Sequence, residues 1–254
     1  MTVLELYHWE PNANSGEALI CLKEKGLDFT SHHVDVRAFE QLSPAFRALN
    51  PAAQVPVLVH GGKVITETGF ILQYIEAVFP TPSLTPADAK DRYWVNVWIK
   101  YVNEYMAPAV SRLGLNKTGL EGVDVGKARN ALERAPLERQ QGWAKVLGEG
   151  YSKDDLEIAH GLLPIRLHRM EEALAASPWL AGPAWSLADI AVFPTAASLP
   201  GLVPGLVSPK ATPRIIDWLG RVRARPAVQA ALAMARTPNP EAVFAPGPEG
   251  SRWG

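Results

Sequence analysis

The sequence predicts a small α/β domain over residues 1–80, a linker over 81–90 and an all-α domain over 91–254. Three observations predict this. Strand and helix patterns alternate through the first eighty residues in the order βαβαββα. A proline-rich stretch, "PTPSLTPADA", follows. Beyond it, apolar residues recur at helical spacing and strand signals are scarce.

The first strand is "VLELY", apolar and β-prone. A short polar loop then leads to a helix in "SGEALICLKEKG", with Ala18, Leu19 and Leu22 on one face and Gly26 as its stop. Polar residues Asn14 and Ser15 fall where this helix begins. A helix N-terminus is a place to hold an anion or a thiolate. The same Ser15 equally serves as an N-cap, with Glu17 in the first turn complementing the helix dipole. "FTSHHVDV" alternates, with Phe29, Val34 and Val36 inward, and reads as the second strand. "SPAFRALN" is a short helix opened by Ser43–Pro44. "VPVLVH" and "KVITET" flank a Gly–Gly turn and form a hairpin. "GFILQYIEAVFP" is a helix ended by Pro80. The first two strands with their crossover suit a parallel pair, and the hairpin adds antiparallel strands.

After the linker, "DRYWVNVWIKYVNEYMAPAV" sets Trp94, Trp98, Tyr101 and Tyr105 on one helix face. They are candidates for the wall of a pocket facing Ser15, the Trp94 end serving as core. "DLEIAHGLLPIRLHRMEEALA" is a second helix, bent at Pro164. "SLADIAVFPTAASL" and "RIIDWLGRVRARPAVQAALAMA" are the next two. Ser186 and Asp189 form an S-x-x-D capping box, with Trp185 and Ile190 at the staple positions. Residues 117–155 are charged, with a helix around "PLERQQGWAKVL" that either lids a pocket through Arg134, Arg139 and Gln140 or stands in solvent. The tail from Thr237 is rich in proline and glycine and reads as irregular.

Hydrophobic residues make up 47% of the chain, enough for a sizeable core. The net charge of −1, with no basic block, argues against a nucleic-acid partner. One cysteine, Cys21, precludes an intramolecular disulfide and fits a reducing cytoplasm. It lies on an apolar stretch inside the first helix and reads as a buried hydrophobe. "MTVLELYHWE" has no secretory pattern. Residues 187–207 are long enough to cross a bilayer, but Asp189 and three prolines make them a buried helix and a broken loop, not a membrane span. The histidines show no metal-ligand spacing with acidic partners, and no metal is expected.

Pro56 opens a strand after a loop and is a candidate cis peptide. That turn would present the backbone N–H and C=O of Val55 to an extended peptide. Glu67 and Thr68 precede a helix, with Thr68 as its N-cap, where a carboxylate is favoured. An ordinary hairpin and a capped helix fit these residues as well.

The βαβαββα order, "NPAAQVPVL", "TETGFILQYIEAVFP" and "SLADIAVFP", in that order and at these separations, resemble the glutathione transferase superfamily. The resemblance covers nearly the whole chain. It implies a thioredoxin-like first domain, an all-helical second domain and glutathione as co-substrate. By the resemblance Val55 would pair with the cysteinyl part of glutathione, Glu67 and Thr68 would hold its γ-glutamyl end, and Gln41 and Gln54 would lie near its glycyl end. Ser15 would donate its O–H to the glutathione sulfur, with Asn14 as a second donor. His8, Trp9 and Pro11 would floor the acceptor pocket and Trp98, Tyr101 and Tyr105 would wall it. Tyr7 is the rival thiol donor, although packing suits its strand position. Kinship also implies a homodimer. "YHWEPNANSGEALICLKEKGLDF", "FEQLSPAFRALNPAAQVPVLVHGGKVITET" and "PLERQQGWAKVL" are similar to the bacterial β-etherases of lignin breakdown, in which the glutathione thiolate displaces a phenol from the carbon beside a ketone. General conjugation or dehalogenation of hydrophobic electrophiles, and a non-catalytic interaction module, are the alternatives.

Overall fold

The computed structural model describes residues 3–118, 123–133, 135–148 and 150–242. Four strands form one sheet in the order β2-β1-β3-β4. β1 (Leu4–His8) runs parallel to β2 (Thr30–His33) and antiparallel to β3 (Val57–His60), which pairs antiparallel with β4 (Lys63–Ile65). The Gly61–Gly62 turn has positive φ at both residues, 56° and 79°, which suits the two-residue hairpin. Side chains alternate along β1. Leu4 and Leu6 join the main core, whereas Tyr7 packs on the other face with the Val34, Phe46, Val57 and Val59 cluster.

Helix α1 (Ala13–Glu24) begins two residues earlier than expected, with Asn12 at the N-cap. Its buried surface is also wider than one face, since Ala18 through Leu22 are all fully buried. The helix packs between α3 (Thr68–Val78) and two helices of the second half, α9 (Leu187–Ala196) and α12 (Pro226–Leu232). Gly16 permits this approach, because a Cβ there would lie 2.8 Å from the Pro194 side chain and 2.9 Å from the Pro11 carbonyl. Cys21 is buried, as expected, and burial pushes its thiol well above the usual range. Short α2 (Pro44–Leu49) is capped by Ser43, whose Oγ accepts from Phe46 N–H at 3.2 Å.

Glu17 is not a first-turn dipole partner. It is 0% exposed, and neither carboxyl oxygen has a hydrogen-bond partner among the described residues. Burial pushes its pKa well up, so the group is held toward the neutral form. A buried acid with no ligand costs stability. Its contribution is lost as pH rises from the unfolded value near 4.5 toward the folded one. Glu17→Met is therefore expected to stabilise the fold at pH 7 by about 1 kcal/mol or more, read as a higher urea midpoint. A lower midpoint would show that the carboxyl carries an essential contact.

The linker is pinned rather than loose. The Glu76 carboxylate of α3 accepts from Ser83 Oγ, Leu84 N and Thr85 Oγ1 at 2.8–3.1 Å and pairs with the buried Lys25 ammonium, which also donates to Pro82 O. Helices follow: α4 (Ala89–Tyr101), α5 (Ala107–Thr118), α6 (Val125–Leu132), α7 (Leu137–Leu147) and α8 (Lys153–Ala176), which contains Pro164. After α9 come α10 (Leu199–Leu202) and α11 (Pro213–Arg223). The expected helix over 91–110 is split by a π-helical turn at Val102–Met106, directly before Pro108, which has no N–H to give Glu104. No helix among the described residues is long and apolar enough to cross a membrane.

Candidate active site

Strand register gathers the expected site residues at one end of the sheet. Tyr7 lies opposite Val57, so the loop after β1 runs beside the Val55–Pro56 bond that precedes β3. Leu58 lies opposite Ile65, so Glu67 and Thr68 leave β4 at the same end. β2 is parallel to β1, with His33 level with His8, and the chain to Gln41 departs there too. The Val55–Pro56 bond is cis. Val55 is half-buried, and no partner is recorded for its N–H or C=O among the described residues.

Ser15 is at the third position of α1, 3% exposed. Its Oγ accepts the Trp9 backbone N–H at 3.1 Å. A hydroxyl so used keeps its own proton to donate, and no protein acceptor for that proton is recorded among the described residues. Asn14, one position earlier, is half-buried. The N-cap side chain leaves the first turn open. Asn12 makes no capping bond and donates Nδ2 to Pro240 O at 2.7 Å instead. The unclosed N–H groups and the helix dipole thus point at the space in front of Ser15. Tyr7 lies on the opposite face of the sheet, stacked on His32 at 4.3 Å, which removes it as a rival donor.

The loop that sets Ser15 is braced by buried polar groups. His8 is buried, and burial lowers its pKa, so the ring is neutral. Its Nδ1–H donates to Trp9 O at 2.5 Å, and Nε2 is 2.7 Å from Ser31 Oγ, which donates to it. Both nitrogens are used, which corrects the expectation that His8 floors a substrate pocket. Trp9 and Pro11 are likewise buried, Trp9 against His33 at 5.1 Å. The Glu10 carboxylate faces His33 Nε2 and accepts from Arg236 N, Thr237 N and Thr237 Oγ1 at 3.0–3.3 Å. Glu241 pairs with Arg223 at 2.8 Å. A strap, residues 236–241, therefore binds the first loop to α11. Local sequence carries no signal for this clamp, because its two sides are more than 220 positions apart.

On the expected glutathione side, Thr68 is buried but is not the N-cap. Glu67 takes that place with φ +65° and no side-chain cap, and is exposed. Gln41 is buried in a 3₁₀ turn (Glu40–Leu42); its Nε2 donates to Val36 O at 3.4 Å, while Oε1 is without a partner among the described residues. Gln54 is half-buried, its carbonyl held by Asn50 Nδ2 at 2.8 Å. Asn50 shapes this turn and was missed as a site-forming residue.

The aromatic stripe divides otherwise than expected. Trp98 and Tyr101 belong to the main core, covered by the Arg169 guanidinium at 5.5 and 4.7 Å from their rings. Trp94, expected as core, is 47% exposed, and Tyr105, within the π turn, is 48% exposed. Trp98 and Tyr101 are thus interhelical packing rather than an open wall. Burial pushes the Tyr101 phenol upward, opposed by Arg169 and Arg166. Gln140 donates to Ala135 O at 2.8 Å and so braces α7; Arg134 and the Arg139 side chain lie outside the described residues.

A family model described as glutathione S-transferase, N-terminal domain, matches residues 2–77, and one described as glutathione S-transferase, C-terminal domain, matches residues 135–226. Protein LigF of Sphingobium sp. is 36% identical over 236 residues, covering 89% of this chain and 91% of that protein. The crystal structure of beta-etherase LigF from Sphingobium sp. strain SYK-6 aligns with a TM-score of 0.86 at 34% identity, over 92% of this chain and 100% of that one. A glutathione transferase from Burkholderia graminis, solved with two glutathione molecules per subunit, aligns at a TM-score of 0.71 and 27% identity, over 92% and 89% of the two chains. The fold, the two matched domains and the whole-length likeness agree, and the chain belongs to the glutathione S-transferase family.

Proposed function

We propose that this protein is a glutathione-dependent β-etherase. Glutathione binds along the Val55 edge, with Glu67 and Thr68 at its γ-glutamyl end and Gln41 and Gln54 at its glycyl end. Its sulfur lies before the N-terminus of α1, where Ser15 O–H donates to it and the helix dipole favours the thiolate. Asn14 is a second donor. The thiolate attacks the carbon that bears the aryl ether beside a ketone. The S–C bond forms, the C–O bond breaks, and the phenolate leaves and takes up a proton. The protein's part is to ionise the thiol and hold both reactants in line. Exposed aromatic Tyr105 borders the aromatic acceptor.

The observation that carries the etherase reading is the likeness, over 92% of this chain, to the crystal structure of beta-etherase LigF. The test is an assay with glutathione and a guaiacyl β-aryl ether ketone. Release of the phenol with formation of a glutathione thioether is the expected result. No phenol above background, with turnover of simple electrophiles retained, would make the protein a general conjugating transferase instead.

A homodimer in the cytoplasm completes the reading. Exposed apolar side chains on three helices support self-association: Phe70 on α3, Tyr93 and Trp94 on α4, and Ile158, Leu162 and Ile165 on α8.

A further inference from the structure

The α6–α7 unit is not a solvated helix pair. Trp143 is 3% exposed, and its ring lies 5.0 Å from that of Phe39. Around this contact Ala128, Leu132 and Ala135 of the second half close on Phe39, Leu42 and Ala53 of the first, forming a core of its own. Two of the three first-half members have left-handed backbones, Phe39 with φ +62° and Ala53 with φ +55°. A non-glycine residue in that region costs about 1–3 kcal/mol and persists only where its surroundings hold it. For a residue as bulky as Phe39 the conformation is uncommon. Trp143 packs on Phe39, in the cluster that also contains Ala53. Each strained residue opens a segment that reaches the proposed glutathione site. Gln41 lies two positions after Phe39, and Gln54 and Val55 directly follow Ala53.

We propose that Trp143 is a positioning residue for glutathione. Through Phe39 and Ala53 it fixes the two backbone segments that carry Gln41, Gln54 and Val55. This rests on the glutathione reading above. The α6–α7 unit then acts on the co-substrate site. The effect passes through backbone placement.

The test uses the full-length protein with Trp143→Ala, Trp143→Phe and Phe39→Gly. The last keeps a backbone that glycine adopts freely while deleting the ring. Titration calorimetry gives the dissociation constant for reduced glutathione, and steady-state kinetics separate KM from kcat. Trp143→Ala and Phe39→Gly are each expected to weaken glutathione binding about tenfold, equivalent to about 1.4 kcal/mol. KM for glutathione rises in step, kcat at saturating glutathione stays within about twofold, and Trp143→Phe restores most of the affinity. The double variant is expected to be no worse than either single one, because both break the same contact. Wild-type protein that binds no glutathione would end the underlying reading. Wild-type binding with unchanged affinity in Phe39→Gly and in the folded Trp143 variants would overturn this inference alone. So would a lowered melting temperature with KM unmoved, which marks a purely structural role.

Discussion

Ser15→Ala is expected to lower kcat for phenol release about a hundredfold, the scale seen when one preorganised donor to a developing or resident anion is removed. Ser15 Oγ is held by the Trp9 N–H, no acceptor for its proton is recorded among the described residues, and it stands in the first turn of α1, whose N-cap side chain makes no capping bond. A donor so placed stabilises the thiolate but not the thiol. The free thiol titrates near pH 8.5, and each unit of lowering corresponds to about 1.4 kcal/mol. Removing the hydroxyl should move the ionisation of bound glutathione upward by about one unit or more, read as thiolate absorbance against pH in the complex. Activity of the variant should recover partly at high pH, where the thiol ionises unaided. Asn14→Ala is expected to have the smaller effect. If Ser15→Ala left both the absorbance midpoint and kcat in place, the sulfur would be held by Asn14 and the helix N–H groups, and the assignment of Ser15 would be wrong.

The second large effect concerns stability. Asp189 was expected to form a capping box with Ser186, and it does. It also accepts from Leu180 N at 3.0 Å and from Trp218 Nε1 at 2.9 Å, and is fully buried. Asp189→Ala leaves three buried N–H donors, those of Leu180, Ser186 and Trp218, without their acceptor. The expected loss is about 3–5 kcal/mol, well above the roughly 1 kcal/mol of a cap alone. In a chain of this size that lowers the melting temperature by about 10 °C. Burial pushes the Asp189 carboxyl up to about 6, against the opposing pull of its N–H donors. Between the unfolded value near 3.8 and that value, the folded state holds a proton that the unfolded state has released. Stability from this group therefore falls as pH rises through that window and is level above it. The difference in urea midpoint between wild type and Asp189→Asn, followed from pH 4 to 7, reads this directly. A difference that does not change with pH would contradict the linkage.

Much of the fold was legible because its signals are local. Ser43–Pro44, Gly61–Gly62 and Ser186-x-x-Asp189 each fix an end or a turn within four residues. Ser15, Val55, Thr68 and Gln41 are named together only through the family resemblance; the strand order that brings them to one sheet end is a finding of the structure. What was not legible depends on partners far away in sequence. Trp143 shows one helical residue until Phe39 is brought to it across a hundred positions. Trp94 and Trp98 share a face of α4, yet only the second meets Arg169 of α8. The buried state of His8 depends on Ser31, and the start of α1 on an N-cap whose amide is drawn to Pro240.

The grip of Glu10 on the backbone of residues 236 and 237 bears on how the molecule comes into being. The turn beyond β1 leaves the ribosome more than 220 residues before the backbone amides that Glu10 grips, at Arg236 and Thr237. A nascent chain holding the whole β-sheet and α1 still carries an ungripped acid in the turn after β1. The loop after β1 is thus tightened only after synthesis has passed Thr237, and a chain cut short at Ala235 is expected to fold most of its mass while leaving that loop slack.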